Sequence, residues 1–342
     1  MSSGSGTQGA PTLEAVAASA GVSRATASRV LRGASNVSER ARTAVLAAAD
    51  ALSYTPNRAA RALVTGHSDS VVFLVDETED RLFADPFFLG TLRGSQTQIA
   101  SAGFQLVFTV TSSAEDHQRF LHFATSGHVD GVLLASLHGQ DKLPQELESL
   151  GVPTVLLGRP LSGSANLYYV DADNVGGAAT ATSYLIDSGR TTVATVTGPQ
   201  DMCAGQDRLT GYRDALQKAN LPEQDDLVGE GGFTLSSGFD AMTQLLETRP
   251  DIDAVFAASD LTALGAMRAI ELSGRRIHDD VAVVGFDDIP DARQARPALT
   301  TIRQPLAELG QTLSRLLLRR VYGEHPPQAS VLPVQLIERE TA

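Results

Sequence analysis

Cysteine is almost absent from this chain: Cys203 is the single one in 342 residues. One thiol can make neither an intramolecular disulfide framework nor a cysteine-rich metal site. Long hydrophobic runs are missing as well, none approaching the ~20 residues that cross a bilayer. The opening MSSGSGTQGAP has no basic n-region and no apolar h-region, so it does not read as a secretory signal, and a cytoplasmic location is expected. Lysine is confined to Lys142 and Lys218, leaving arginine to carry the positive charge. Catalytic motifs are lacking too: there is no HExxH, no GxSxG, no P-loop and no cysteine–histidine pair at usable spacing. The seven histidines (His67, His117, His122, His128, His138, His278 and His325) are scattered. His117 and His122, five apart on a polar helix, make a poor metal pair and read as a solvated face. Asp287 and Asp288 are adjacent, hence not a matched acid–base pair on one surface. No enzymatic activity, cofactor or metal is expected.

What is present describes a folded, divided chain. Hydrophobic residues make up 42% and charged residues 20%, a globular rather than a disordered balance. The length exceeds one ordinary core, so two or three domains are expected. Net charge is −13, yet residues 1–66 hold seven arginines against Glu14, Glu39 and Asp50, a local +4 that leaves −17 on residues 67–342. A basic head on an acidic body suggests one nucleic-acid-binding segment. A chance cluster of solvated arginines is the plainer alternative.

Residues 1–10 read as a flexible Ser/Gly tail whose GxGxxG at Gly4, Gly6 and Gly9 follows no strand and carries no dinucleotide signal. Then comes TLEAVAASAGVSRATASRVLRG. Thr12 can cap a short helix with Leu13, Val16 and Ala17 on its apolar face, and Gly21 breaks it at a tight turn. Ser23 caps a second helix over 24–31 with Ala27, Val30 and Leu31 inward. That is a helix-turn-helix, with Arg24, Ala25, Ser28 and Arg29 on the outer face, free to enter a major groove. The stretch 36–54 adds a third helix capped by Ser38, with Val45, Leu46, Ala49 and Leu52 closing the core. After Pro56, Asn57 can cap a short helix ending near Gly66.

Over some fifty residues, TLEAVAASAGVSRATASRVLRGASNVSERARTAVLAAADALSYTPNRAARAL resembles the headpiece of the LacI/GalR family of bacterial transcriptional regulators. The resemblance implies that Arg24, Ala25 and Arg29 read bases and that Ser28, Asn36 and Tyr54 lie near phosphates. Thr12, Ser23, Thr26, Arg32, Asn57 and Arg61 complete the implied DNA-contacting set. Leu63 would be an apolar wedge of a hinge helix entering the minor groove. Ala27 stands where the family usually has valine, and Arg32 where it often has asparagine.

From residue 70 onward, apolar runs alternate with amphipathic helices. The runs are SVVFLVD (70–76), FQLVFTV (104–110), GVLLAS (131–136), PTVLLG (153–158), TVATVTG (192–198), DAVFAAS (253–259) and VAVVGFDD (281–288). Continuous short runs separated by helices indicate parallel sheets covered on both faces, and seven or more such units exceed one open sheet. Ligands of such sheets sit at the carboxyl ends of strands. The candidates there are Phe87, Phe88, Arg208, Phe233, Ser259, Asp260, Asp287 and Asp288. An arginine and a carboxylate converging with aromatics can hold vicinal hydroxyls and stack on a sugar or base face. Taken singly, each could equally be a helix cap, an ion pair or a core aromatic.

SDLTALGAMRA, VVGFDDIPDAR and PALTTIRQP extend the family resemblance through the body, which looks like a periplasmic-binding-protein-like sensor core. It implies Arg208, Phe233 and Asp287 as effector contacts, with Phe87, Phe88, Ser259 and Gln304 added. Ser259 stands where many sugar-responsive members carry asparagine or aspartate, and Gly158–Arg159 replaces an acidic pocket position. The expected architecture is an all-α headpiece at 11–56, a hinge helix and linker at 57–66, and an α/β core at 67–342 of two doubly wound subdomains. The first would comprise about 70–170 plus 305–332, the second about 171–304 plus 333–342. The expected function is a repressor of pseudo-palindromic operator DNA, controlled by a small molecule, a sugar first and a purine or nucleoside second. LGQTLSRLLLRRVYG (309–323) reads as a long amphipathic helix with no leucine heptads after it, which predicts a homodimer. A solute-binding protein would suit the body alone; the basic head argues against it.

Overall fold

A computed structural model describes residues 11–31, 34, 36–55, 67–139, 141–161 and 166–342. The expected tail at 1–10, Arg32, and the linker with Asn57, Arg61 and Leu63 lie outside the described residues. The chain divides into two compact units, Met1–Ser68 and Asp69–Ala342.

In the first unit, Thr12 accepts a hydrogen bond from the Ala15 amide and starts α1, Leu13–Ser19. Gly21 takes φ +64°, a conformation that costs glycine little, and turns the chain into α2, Arg24–Leu31. Ser38 caps α3, Glu39–Ala51, through the Ala41 amide. Val16, Ala17, Ala27, Val30, Val45, Ala48 and Ala49 make the small core. Leu46, which helical spacing places with that core, is instead 51% exposed. Val45 and Ala49, one turn apart, already fill the inward face.

The second unit begins with β1, Ser70–Asp76, whose residues 71–75 are all buried. α4 (Glu79–Ala84), α5 (Pro86–Ser101), β2 (Gln105–Thr111), α6 (Ala114–Phe123), β3 (Gly131–Ala135), α7 (Leu143–Ser149), β4 (Thr154–Leu157) and β5 (Tyr168–Ala172) follow. A second α/β layer is then built from α8 (Asn174–Asp187), β6 (Val193–Val196), α9 (Cys203–Lys218), β7 (Val228–Gly229) and α10 (Leu235–Thr248). It continues through β8 (Ala254–Ala257), α11 (Asp260–Leu272), β9 (Ala282–Asp287), α12 (Pro290–Gln294) and β10 (Thr300–Arg303). The chain returns for α13 (Leu306–Val321) and β11 (Ala329–Leu332), and ends on the second sheet with β12 (Gln335–Ile337).

The first sheet runs β11-β5-β4-β3-β1-β2, the second β12-β10-β9-β8-β6-β7. Pairing is parallel throughout, except that β12 runs antiparallel to β10. Apolar clusters cover both faces of each sheet, as strands made of unbroken Val, Leu and Ile require. The chain passes between the sheets after β5, after β10 and after β11, so the two subdomains share a three-stranded connection. The ends of β3, β4 and β5 in one sheet and of β8 and β9 in the other border a common cleft. Among the described residues no helix is long and apolar enough to cross a membrane.

Candidate binding cleft and nucleic-acid interface

The cleft encloses about 740 Å³, including the space open at its mouth. Arg208, on α9, reaches its floor and is almost fully buried. Its Nε donates to Asn174 Oδ1 at 2.9 Å, and its Nη1 donates to the Ala258 carbonyl at 2.5 Å. The guanidinium lies over the Phe286 ring, 3.8 Å from its centre, and 5.3 Å from the centre of Phe233. Asp287 Oδ1 is 3.5 Å from Nη1 and accepts from Gln304 Nε2 at 2.6 Å. Burial pushes the Asp287 carboxyl up to about 7, against the pull of Arg208. Burial also raises Asp85 and Asp171, two further carboxyls of the lining. A charged arginine, several carboxyls poised to donate or accept, and the rings of Phe87 and Phe233 can grip a polyhydroxylated ligand by edge and face.

Backbone strain gathers at the same place. Ser136, Phe233 and Asp287 all hold positive φ, at 63°, 57° and 121°. Side chains tolerate that region poorly, and here it aims strand-end groups at the cleft. Gly198 makes room for Phe233: a Cβ there would lie 2.2 Å from two of its ring carbons.

Of the residues expected from sequence, Phe87, Phe88, Arg208, Phe233, Ser259, Asp287 and Gln304 all line the cleft. Asp260 is a correction. It is fully buried and absent from the lining. Its Oδ1 accepts from Thr301 Oγ1 at 2.5 Å and its Oδ2 from the Ile289 amide at 2.8 Å, so it fastens α11 to β10 and to the segment that follows β9. Ser259 caps α11 through the Thr262 amide while it faces the cleft. Gly158 and Arg159, which the resemblance set at a pocket position, line it too, whereas sequence reasoning missed Arg81, Asp85, Ser136, Asp171 and Asn174. The strand end YYVDADN held the signal for Asp171 and Asn174, but its polar content hid β5. Asp288 faces three arginines instead, Arg293, Arg303 and Arg339. His117 also differs from the solvated face expected of it: its Nε2 is 2.7 Å from Asp76 Oδ1. Donor atoms of Asp76, His117 and Asp141 lie within 4.8 Å of one another, a set that could hold a metal ion. His122 is exposed.

On the first unit, the expected DNA-contacting side chains that are described cluster on α2 and its flanks. Arg24 is exposed and pairs with Glu14 at 2.8 Å. Ala25 is exposed, and Arg29 folds back over the helix, Nε 3.4 Å from the Ala25 carbonyl and Nη2 3.5 Å from Thr26 Oγ1. Ser23 Oγ accepts from the Thr26 amide at 3.2 Å. Thr12 caps α1, Ser28 is half-buried, Asn36 is exposed, and Tyr54 packs partly against the core. Arg24 and Arg29 take no part in the small core, and both are exposed to solvent.

A family model of bacterial regulatory proteins, lacI family, matches residues 12–57, and one of a periplasmic binding protein-like domain matches 182–342. The HTH-type transcriptional regulator CelR of Thermobifida fusca is 48% identical over 333 residues, 97% of this chain and 98% of that one. A solved structure of a transcriptional regulator CelR-cellobiose complex superposes with a TM-score of 0.79 at 46% identity, covering 97% of this chain and 100% of that one. The lac repressor dimer bound to operator and the anti-inducer ONPF superposes with a TM-score of 0.83 at 29% identity, covering 97% and 98%.

Proposed function

This chain belongs to the LacI family of bacterial regulatory proteins, and from that premise we propose that it is a cytoplasmic homodimeric repressor released from, or held on, its operator by a β-linked disaccharide of the cellobiose type. It is a DNA-binding transcriptional regulator and not an enzyme, as its relatives are. The observation that carries the sugar reading is the buried Arg208–Asp287–Asn174 group flanked by Phe87 and Phe233 in a cleft between two sheets. Arginine and carboxylate take vicinal hydroxyls, and the rings take the apolar face of a pyranose. The likeness to a regulator solved with cellobiose supports the choice of disaccharide.

One headpiece offers too few contacts to reach the ~10⁻⁸–10⁻¹¹ M of specific sites, so two heads on a pseudo-palindrome are required. Arg24, Ala25 and Arg29 are the proposed base readers. Ser28, Asn36 and Tyr54 are the proposed phosphate-side residues, and Leu63 the proposed minor-groove wedge. Ligand in the cleft changes the angle between the two subdomains, and with it the spacing at which paired hinges can enter the groove. No cofactor is needed, since the sugar is a signal and not a reactant.

Thermal-shift titration of the full chain tests the sugar reading. Cellobiose at 100 times its dissociation constant adds about 2.7 kcal/mol and should raise the melting temperature, whereas adenine, guanine and their nucleosides should not. A shift with a purine and none with cellobiose would overturn it.

A further inference from the structure

Next to the cleft residues Ser136 and Leu137, one histidine stands between carboxylates of the two subdomains. His138 follows β3, and its Nε2 lies 2.7 Å from Oε1 of Glu77, which follows β1. Its Nδ1 lies 2.9 Å from Oδ2 of Asp201, which follows β6 on the other sheet. Beside this contact the Gly139 amide donates to the Asp201 carbonyl at 2.7 Å. Both ring nitrogens therefore face carboxylate oxygens, which have only lone pairs to offer. A neutral imidazole has one N–H and can satisfy one of them; only the imidazolium donates to both.

We propose that His138 and Asp201 form a proton-operated latch, a pair of positioning residues that closes the cleft over its ligand when His138 is protonated and weakens when it is not. The inference rests on the reading of the cleft as a sugar site. The charged groups facing His138 are Glu77, Asp201 and Arg81, whose Nη1 is 3.4 Å from Nε2. Arg81 also pairs with Glu77, and Ser136 Oγ donates to the same Glu77 oxygen at 2.8 Å. Arg81 and Ser136 line the cleft, so ligand and latch share a wall. Arg81 Nε is buried with no acceptor among the described residues, a donor that a ligand oxygen can use. The bond to Glu77, with Asp201 adding to it against burial, raises the His138 pKa. Burial raises Glu77 in its turn, but the bond to His138 and the charge of Arg81 outweigh it and hold that carboxyl low.

The sign follows from which state holds the second carboxylate. Glu77 and His138 belong to one subdomain and stay together when the cleft opens; Asp201 leaves. The closed form then binds the His138 proton more tightly than the open form. Closure is strongest below the open-state pKa and is lost as pH rises through the closed-state pKa. Burial pushes the Asp287 carboxyl, in the same cleft, up to about 7, so the test compares variants in which Asp287 is unchanged.

Cellobiose affinity of the full-length protein is measured by calorimetry at about pH 6 and about pH 8.5, the window that spans an ordinary histidine. The wild type should lose about fivefold or more of its affinity across it. His138→Gln should bind weakly at both values with most of that slope gone. Asp201→Asn is the rescue: its carboxamide can donate to Nδ1 of a neutral imidazole, so affinity at the higher pH should equal or exceed that of the wild type. Equal slopes in all three proteins would overturn the latch. A second reading needs no ligand: the His138 titration followed by NMR should move down in Asp201→Asn, and an unchanged midpoint would also overturn it. If cellobiose binds none of the three proteins, the sugar reading fails while the NMR midpoint still decides the latch.

Discussion

Asp287 sits under Arg208 with its carboxyl raised to about 7 by burial, far above the 3.8 of an ordinary aspartate. The native protein holds that proton more tightly than the unfolded chain. Stability contributed by the group is therefore fully present below about pH 4, and is lost as pH rises to about 7. Asp287→Asn removes the titration and keeps an acceptor for Arg208. Its melting temperature should gain on the wild type between pH 5 and pH 8, with Asp85, Asp171 and Asp260 cancelling in the difference; parallel curves would contradict the assignment. Asp287 could be picked from sequence because it stands at the end of a recognisable strand, while Arg208, in the second turn of α9, and Phe233, just before α10, were pointed to by the family resemblance. Asp260 stands at a strand end as well, and nothing in SDLTAL tells a residue that faces the cleft from one that ties a helix to the sheet. Only the bonds from Thr301 and Ile289 separate the two roles.

Among the elements, legibility followed apolar composition rather than burial: β2 was read although largely exposed, and β10 was missed although buried. The seven runs of continuous apolar residues are the strands β1 to β4, β6, β8 and β9, each displaced by no more than two residues from its reading. The strands missed are those without such a run. β5 contains Asp171, and β10 is threonine-rich. β11 alternates exposed and half-buried positions at an edge, β12 is a three-residue antiparallel edge, and β7 is two residues long. Edge and cleft-bordering strands carry polar groups because one flank meets water or ligand, which erases the signal that central strands give. Gly198, just past β6, is where an element and the cleft meet. Gly198→Ala puts a methyl 2.2 Å from the Phe233 ring, which must turn out into the cleft. Overpacking of this kind costs about 1–3 kcal/mol. Cellobiose affinity should fall about tenfold or more in calorimetry, while circular dichroism keeps the native spectrum. Unchanged affinity would mean that Phe233 does not stack on the ligand.

Across the whole molecule, charge and architecture assign separate tasks to the two units. Residues 1–66 carry +4 and residues 67–342 carry −17, so on the proposed function repulsion of the rest should confine phosphate contact to the head. The head has a minimal core of small side chains, whereas the sensing unit has two sheets joined by three passages of chain, a construction that bends between its halves more easily than within them. The proposed allostery lies in that bend. Cleft closure and operator binding draw on one equilibrium, so a sugar that prefers one angle must change operator affinity, with a coupling of about 1–3 kcal/mol, or about 5–150-fold. Fluorescence anisotropy of the full chain on a duplex enriched from a random library, at fixed salt, with and without saturating cellobiose, tests this most directly. The account predicts an operator dissociation constant shifted by about fivefold or more. Cellobiose that binds the protein yet leaves operator affinity unchanged would contradict it.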